Sequence, residues 1–184
     1  MMSESEKLGW HSLGTSFGCA CGQRHSLPIK DCYVGPDAVA RLSAYATKHC
    51  GKRALLVADV NTHAATGEDV YNALRSAGKD VTEVVYGSEP VDATDELGDE
   101  VAAAGVRADF VVGVGAGTLS DLAKYAGNKL TRPVLLCATS ASMNGYTSAI
   151  VALKVRGLKR THTNEPAEAV FADPAEAATA PQRM

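Results

Sequence analysis

The stretch Asp109-Phe-Val-Val-Gly-Val-Gly-Ala-Gly-Thr-Leu-Ser-Asp-Leu-Ala-Lys124 decides the fold. Phe110 to Val114 is a short apolar, β-branched run, which reads as a buried strand. It stops at Gly115-Ala116-Gly117, and a helical stretch from Thr118 to about Asn128 follows. A strand that feeds a helix through glycines presents bare backbone N–H groups at the positive end of the helix dipole, where a pyrophosphate binds well. The spacing Gly113-x-Gly115-x-Gly117 is not the usual G-x-G-x-x-G fingerprint, so a plain tight turn is the competing reading. Asp121 and Lys124 lie three apart on one helix face. A solvated ion pair is the plainer account of those two.

Outward from this stretch the chain alternates. Ile29–Val34, Ala54–Ala58, Val81–Tyr86 and Val134–Cys137 read as strands. Between them, helices are expected from Pro36 to about His49, from about Ala65 to Ala77, and around Leu97, Val101 and Ala104. Strands alternating with helices imply an α/β fold, a doubly wound parallel sheet with helices on both faces. Beyond Ser142 the alternation breaks. Ala149–Val155 and Leu158–Thr163 form a small β-hairpin extension around Arg156-Gly157, Ala169–Ala172 is a further strand, and Asp173-Pro174 opens a helix.

In such sheets ligands bind at the carboxyl ends of the strands. Three of these ends are polar: Asp59-Val-Asn-Thr62, the glycine loop, and Thr139-Ser-Ala-Ser142. A carboxylate, a phosphate cradle and a hydroxyl cluster suit a dinucleotide. Asp59 would accept both ribose hydroxyls and repel a 2′-phosphate, which favours NAD over NADP. Asp and Thr also cap helices, so each is ambiguous singly.

The 184 residues suffice for one domain with a proper core, 28–184, behind a polar lead, 1–27, in which Trp10 is the one anchor. A net charge of -3 and a pI near 5.9 speak against nucleic acid or an anionic membrane as partner. No apolar run approaches the ~20 residues of a membrane helix. The start carries no signal-peptide pattern, and five cysteines suggest reduced thiols in a cytoplasm. Cys19-Ala-Cys-Gly-Gln-Arg-His25, with Cys32 further on, offers zinc-type ligands. Its C-x-C-x3-H spacing is not that of a standard finger, and no second C-x-x-C pair follows. A glycine turn with incidental thiols is the simpler reading.

Val57-Ala-Asp-Val-Asn-Thr62, the loop from Gly113 to Ala126, Ala138-Thr-Ser-Ala-Ser-Met-Asn-Gly-Tyr-Thr-Ser148 and the closing Ala172-Asp-Pro…Ala180-Pro…Met184 together resemble the glycerol-1-phosphate dehydrogenase family. That family belongs to the iron-containing alcohol dehydrogenase and dehydroquinate synthase-like superfamily. The likeness runs from about Phe17 to Met184, and the Cys19–His25 segment resembles its bacterial branch. It implies a Rossmann-like domain and reduction of dihydroxyacetone phosphate to sn-glycerol 1-phosphate by NADH or NADPH. A divalent zinc, nickel or iron would polarise the carbonyl.

On this resemblance Asp59 would hold the adenosine ribose. Gly115, Gly117, Thr118, Leu119 and Asp121 would line the dinucleotide, with Thr139, Ser142 and Ser148 further along. Asp121 and Asn144 would face the substrate. Two departures stand out. Asn144 falls where the family has an aspartate, and an amide cannot take up a proton. The family's metal ligands, one Asp and two His, belong to a C-terminal helical domain expected beyond Met184, so no metal ligands are expected within this chain. The expectations are therefore an oxidoreductase represented by its dinucleotide-binding half or, alternatively, a non-catalytic nucleotide-binding module. A homo-oligomer, or association with the missing C-terminal domain, is expected to cover the exposed apolar surface.

Overall fold

The computed structural model describes residues 9–87 and 90–181, so the start of the polar lead, part of the loop after Tyr86 and the final Gln182–Met184 lie outside the described residues. The side chain of Trp10, the expected anchor, lies outside them too. A short hairpin comes first, β1 (Ser16–Gly18) antiparallel to β2 (Arg24–Ser26). Strand β3 (Asp31–Val34) leads to helix α1 (Ala38–His49). Strand β4 (Arg53–Asp59) runs straight into α2 (Val60–Thr62), a π turn over His63–Gly67, and α3 (Glu68–Ser76). Then come β5 (Asp80–Tyr86), α4 (Asp95–Ala104), β6 (Phe110–Gly115), α5 (Gly117–Leu130) and β7 (Val134–Ala138). The hairpin β8 (Ile150–Val155) and β9 (Leu158–Thr163), strand β10 (Ala169–Ala172) and helix α6 (Pro174–Thr179) complete the order.

Six strands make one sheet in the order β3-β10-β7-β6-β4-β5, every neighbouring pair parallel. Alternate residues of the central strands serve opposite faces, as the period of two requires. On one face Leu56, Phe110, Val112, Leu135 and Phe171 pack with Leu42 and Ala46 of α1 and Val70 and Leu74 of α3. On the other face Leu55, Val57, Val111, Leu136 and Val170 pack with Val101 of α4 and Leu119, Ala123 and Ala126 of α5. Each fully buried Leu, Val or Phe contributes about 1.5–3 kcal/mol. These central strands read as continuous apolar runs because both of their faces are covered.

The expected doubly wound α/β class is the observed one, and the expected β-hairpin extension is β8–β9, turned by Arg156 and Gly157 at φ 50° and 78°. Some boundaries differ. Pro36 precedes α1 rather than sitting in its first turn. The helix after β4 begins at Val60, not Ala65, because Asp59 caps it at once. Ala77 is exposed as the cap residue just past α3, and Ala104 is exposed where α4 ends. Strand β10, legible only as a late apolar run, inserts between β3 and β7.

The order also positions a crevice. The connection after β4 moves outward to β5, whereas the one after β6 turns back through α5 to β7. The chain therefore parts between β4 and β6, the place in open α/β sheets where a ligand cleft forms at the carboxyl edge. No helix among the described residues is long and apolar enough to cross a membrane.

Candidate functional site

The three glycines of the loop do three different jobs. A Cβ on Gly113 would stand 2.7 Å from the Ala123 Cβ, so this glycine lets α5 lie close on the sheet. Gly115 has φ +152°, and a Cβ there would meet Leu119 at 2.4 Å. Helix packing and backbone conformation both require it. Gly117 opens α5, and a Cβ on it would meet only the Met143 Sδ, at 3.1 Å. Of the three, Gly117 alone faces a cleft.

That cleft has two lobes. The first, about 320 Å³, brings together Asp59, Thr62, Gly117, Thr118, Leu119 and Ser142. The second, about 430 Å³, is walled by Gly117, Thr118, Asp121, Asn144, Ser148 and Lys159 among others. Gly117, Thr118 and Met143 line both lobes, which makes them parts of one surface. Seven of the expected residues besides Asn144 thus converge at the carboxyl edge. Gly115 and Thr139 instead stand behind it: Thr139 is buried, and its N–H donates to the Gly115 carbonyl at 3.4 Å.

Helix α5 reaches this cleft with an open end. The N–H groups of its first turn have no carbonyl within the helix to bond. Ala116 at the cap position has no side-chain acceptor, and the first intrahelical bond seen from it is Ser120 N–H to the Ala116 carbonyl, 2.9 Å. The turn after β4 is closed. Asp59 Oδ1 accepts from the N–H groups of Asn61 (2.9 Å) and Thr62 (2.8 Å), while Thr62 Oγ1 accepts from Asp59 N–H. The carboxylate therefore caps its own helix and keeps Oδ2 for another donor.

Asp121 and Lys124 are not a solvated pair. The Lys124 side chain is completely buried, with Nζ 3.4 Å from Asp121 Oδ1. Its ammonium donates to the carbonyls of Gly145 (2.9 Å) and Ile150 (2.8 Å). Asp121 Oδ2 accepts from Ala152 N–H at 3.0 Å. Burial pushes the Lys124 ammonium below its ordinary range and the Asp121 carboxylate opposes that shift. Together they bolt the segment 145–152, the cleft's far wall, onto α5. Ser148 Oγ lies 2.9 Å from the Gly145 carbonyl and 3.5 Å from Lys124 Nζ, so it is part of the same bolt.

Sequence reasoning missed Tyr146. Its hydroxyl donates to the Ser140 carbonyl at 2.8 Å, with the Gly115 carbonyl 3.3 Å away. Burial is the main force pushing that phenol up to about 12, so it stays a neutral donor. It joins the Ser140 turn to the end of β6, and an aromatic four residues after Ser142 was the only trace of it. Asn144 is exposed in the second lobe. Among the described residues the one group of three Cys, His, Asp or Glu side chains with converging donor atoms is Cys19, Cys21 and His25, which lines neither lobe.

A parallel sheet wound on both faces, with a glycine turn and an open helix end at its switch point, is a Rossmann-like α/β domain. The chain belongs to the iron-containing alcohol dehydrogenase family, which matches residues 33–181. It is 31% identical over 173 residues to a glycerol-1-phosphate dehydrogenase [NAD(P)+] from Geobacillus stearothermophilus, covering 90% of this chain and 42% of that protein. The fold is similar to that of a glycerol dehydrogenase from Schizosaccharomyces pombe, with TM-score 0.72 and 24% identity over 83% of this chain and 39% of the other. An iron-containing alcohol dehydrogenase from Thermotoga maritima aligns with TM-score 0.73 and 20% identity, over 83% of this chain and 48% of that one. The chain thus spans less than half the length of these relatives.

Proposed function

We propose that this chain is the dinucleotide-holding part of an NAD(P)-dependent glycerol-1-phosphate dehydrogenase. The observation that carries the reading is the uncapped end of α5 opening on the cleft beside Gly117. The first-turn N–H groups of Gly117, Thr118 and Leu119 receive the diphosphate, whose charge the helix dipole favours. Asp59 Oδ2 accepts from the ribose, which makes NAD the preferred form. Ser142 borders the same lobe. The bound cofactor supplies hydride chemistry.

The second lobe takes the substrate, dihydroxyacetone phosphate. Its phosphate finds Lys159 at the rim, beside Lys154, which is paired with Asp92. Asp121 acts as a positioning residue, because both of its oxygens are occupied by Lys124 and Ala152 N–H. Asn144 is an uncharged neighbour of the substrate that hydrogen-bonds without moving a proton. The divalent metal implied by the family has no donor set of three in this cleft among the described residues, and no step is assigned through it. We place its ligands outside the described residues, in a further domain or another chain.

Asn144 and that missing donor set favour a second reading, a dinucleotide-binding module without turnover. Titrating the 184-residue chain with NADH, followed by dihydroxyacetone phosphate and nickel or zinc, separates the two. Turnover by this chain alone would overturn the placement of the metal ligands outside the described residues. Turnover gained only when a family C-terminal domain is supplied in trans supports the dehydrogenase, and binding that stays without turnover supports the module. An unchanged NADH fluorescence at millimolar concentration overturns both.

A further inference from the structure

We propose that the β1–β2 hairpin is a separate metal site, taking a thiophilic divalent cation of the zinc class on Cys19 Sγ, Cys21 Sγ and His25 Nε2. The three residues offer donor atoms that all lie within 4.8 Å of one another, with Cys21 Sγ 3.2 Å from His25 Nε2. Sulfur and nitrogen donors around a tetrahedral zinc stand about 3.6–3.8 Å apart, so closing on an ion moves each pair by no more than about 1 Å.

The backbone sets this arrangement. Cys19 N–H donates to the Gln23 carbonyl (2.9 Å), Gly22 N–H donates to the Cys19 carbonyl (3.0 Å), and Gly22 takes φ +82° to close the turn. His25 is fixed by pairing across from Phe17, whose ring centroid is 5.8 Å from the imidazole. The C-x-C-x3-H spacing, unlike a finger on paper, thus brings its donors together through a hairpin turn. Cys32, grouped with them in the sequence, lies instead on β3.

A ligand also answers an energetic question. Among the described residues, strands β1 and β2 pair only with each other, and they expose most of their residues. A two-stranded hairpin alone is marginal in water. A cation joining Cys19, Cys21 and His25 would bind one end of it shut, releasing the two thiol protons to solvent and leaving a neutral zinc–dithiolate. Three protein donors leave the fourth tetrahedral position to water. Selectivity favours zinc or cobalt over magnesium or calcium, because two donors are thiolates.

The test uses the reduced, metal-free 184-residue chain. Titration with cobalt should produce a thiolate-to-cobalt charge-transfer band that saturates at a single ion per chain and is bleached by zinc. Cys19→Ser with Cys21→Ser should abolish the band. His25→Asn should weaken cobalt binding at least tenfold, and Cys50→Ser should leave it unchanged. NADH titration of the same variants should match the parent, since the hairpin lines neither lobe of the cleft. No saturating band, a band that survives the double variant, or reduced chain that forms a Cys19–Cys21 disulfide rather than binding cobalt would each overturn the site.

Discussion

Two strand-to-helix turns sit side by side at the carboxyl edge of this sheet, and they are built in opposite ways. After β4, Asp59 and Thr62 satisfy each other's backbone, and the helix starts without a gap. After β6, Gly115 and Ala116 lead into a helix of fourteen residues with no cap at all. The first turn is complete by itself and needs no ligand to be stable. The second keeps free donors where the sheet parts, at the place best suited to an anion. Similar strand endings thus produce one turn closed on its own backbone and one left open, and the deciding residue is the one at the cap: an aspartate in the first, an alanine in the second.

The largest expected effect comes from separating packing from binding within the glycine loop. Gly115→Ala forces a side chain into a backbone conformation that disfavours it and drives a methyl into Leu119. We expect a loss of about 2–5 kcal/mol in urea unfolding. Gly117→Ala adds a methyl whose nearest neighbour is a flexible methionine, so stability should change by less than about 1 kcal/mol. Affinity for NADH should nonetheless fall at least tenfold. Were Gly117→Ala to bind NADH like the parent, the open helix end would lose its role as phosphate site.

A smaller effect tests the closed turn. Asp59→Ala removes the acceptor used by Asn61 and Thr62 and should cost about 1 kcal/mol. Asp59→Asn keeps that acceptor but exchanges Oδ2 for an amide donor. Stability should then stay within about 0.5 kcal/mol, because Asn caps as well as Asp. NADH should bind several-fold more weakly while NADPH loses less. Equal losses for the two cofactors, read by fluorescence titration, would confine Asp59 to capping.

The fold was largely legible because its signals are redundant. Buried parallel strands such as Ala54–Ala58 and Val134–Cys137 announce themselves as unbroken apolar runs, and Asp173-Pro174 marks a helix start by two independent chemistries. The site was half legible. Asp59, Gly117 and Asp121 could be singled out from spacing after a strand, yet what each does depends on contacts from distant segments. Asp121 and Lys124 looked like surface charges because the Gly145–Ala152 segment that buries them arrives more than twenty residues later. Nor could spacing tell that Gly115 packs against Leu119 while Gly117 borders the cleft. The hairpin thiols were hard to place for the opposite reason: their donor atoms converge through a tight turn whose spacing follows no familiar pattern.

The smallest effect concerns the far ends of the same two strands. At the amino ends of β4 and β6, Arg53 donates from its guanidinium to Asp109 Oδ1 at 2.6 Å and from its backbone N–H to Oδ2 at 2.9 Å. These bonds hold the Asp109 carboxyl well below the usual carboxylate range. A depressed folded-state value means the stabilisation is present above the unfolded value, about 3.9, and is lost as pH falls through the folded one. Because Arg53 is half exposed, solvent screens the pair and its share stays modest. Asp109→Asn should therefore unfold at a slightly lower temperature than the parent near neutrality, and the gap should narrow as the pH drops below about 4. A gap that stays constant down to the acid limit would mean that the hydrogen-bond geometry, not the charge, ties these strand ends together.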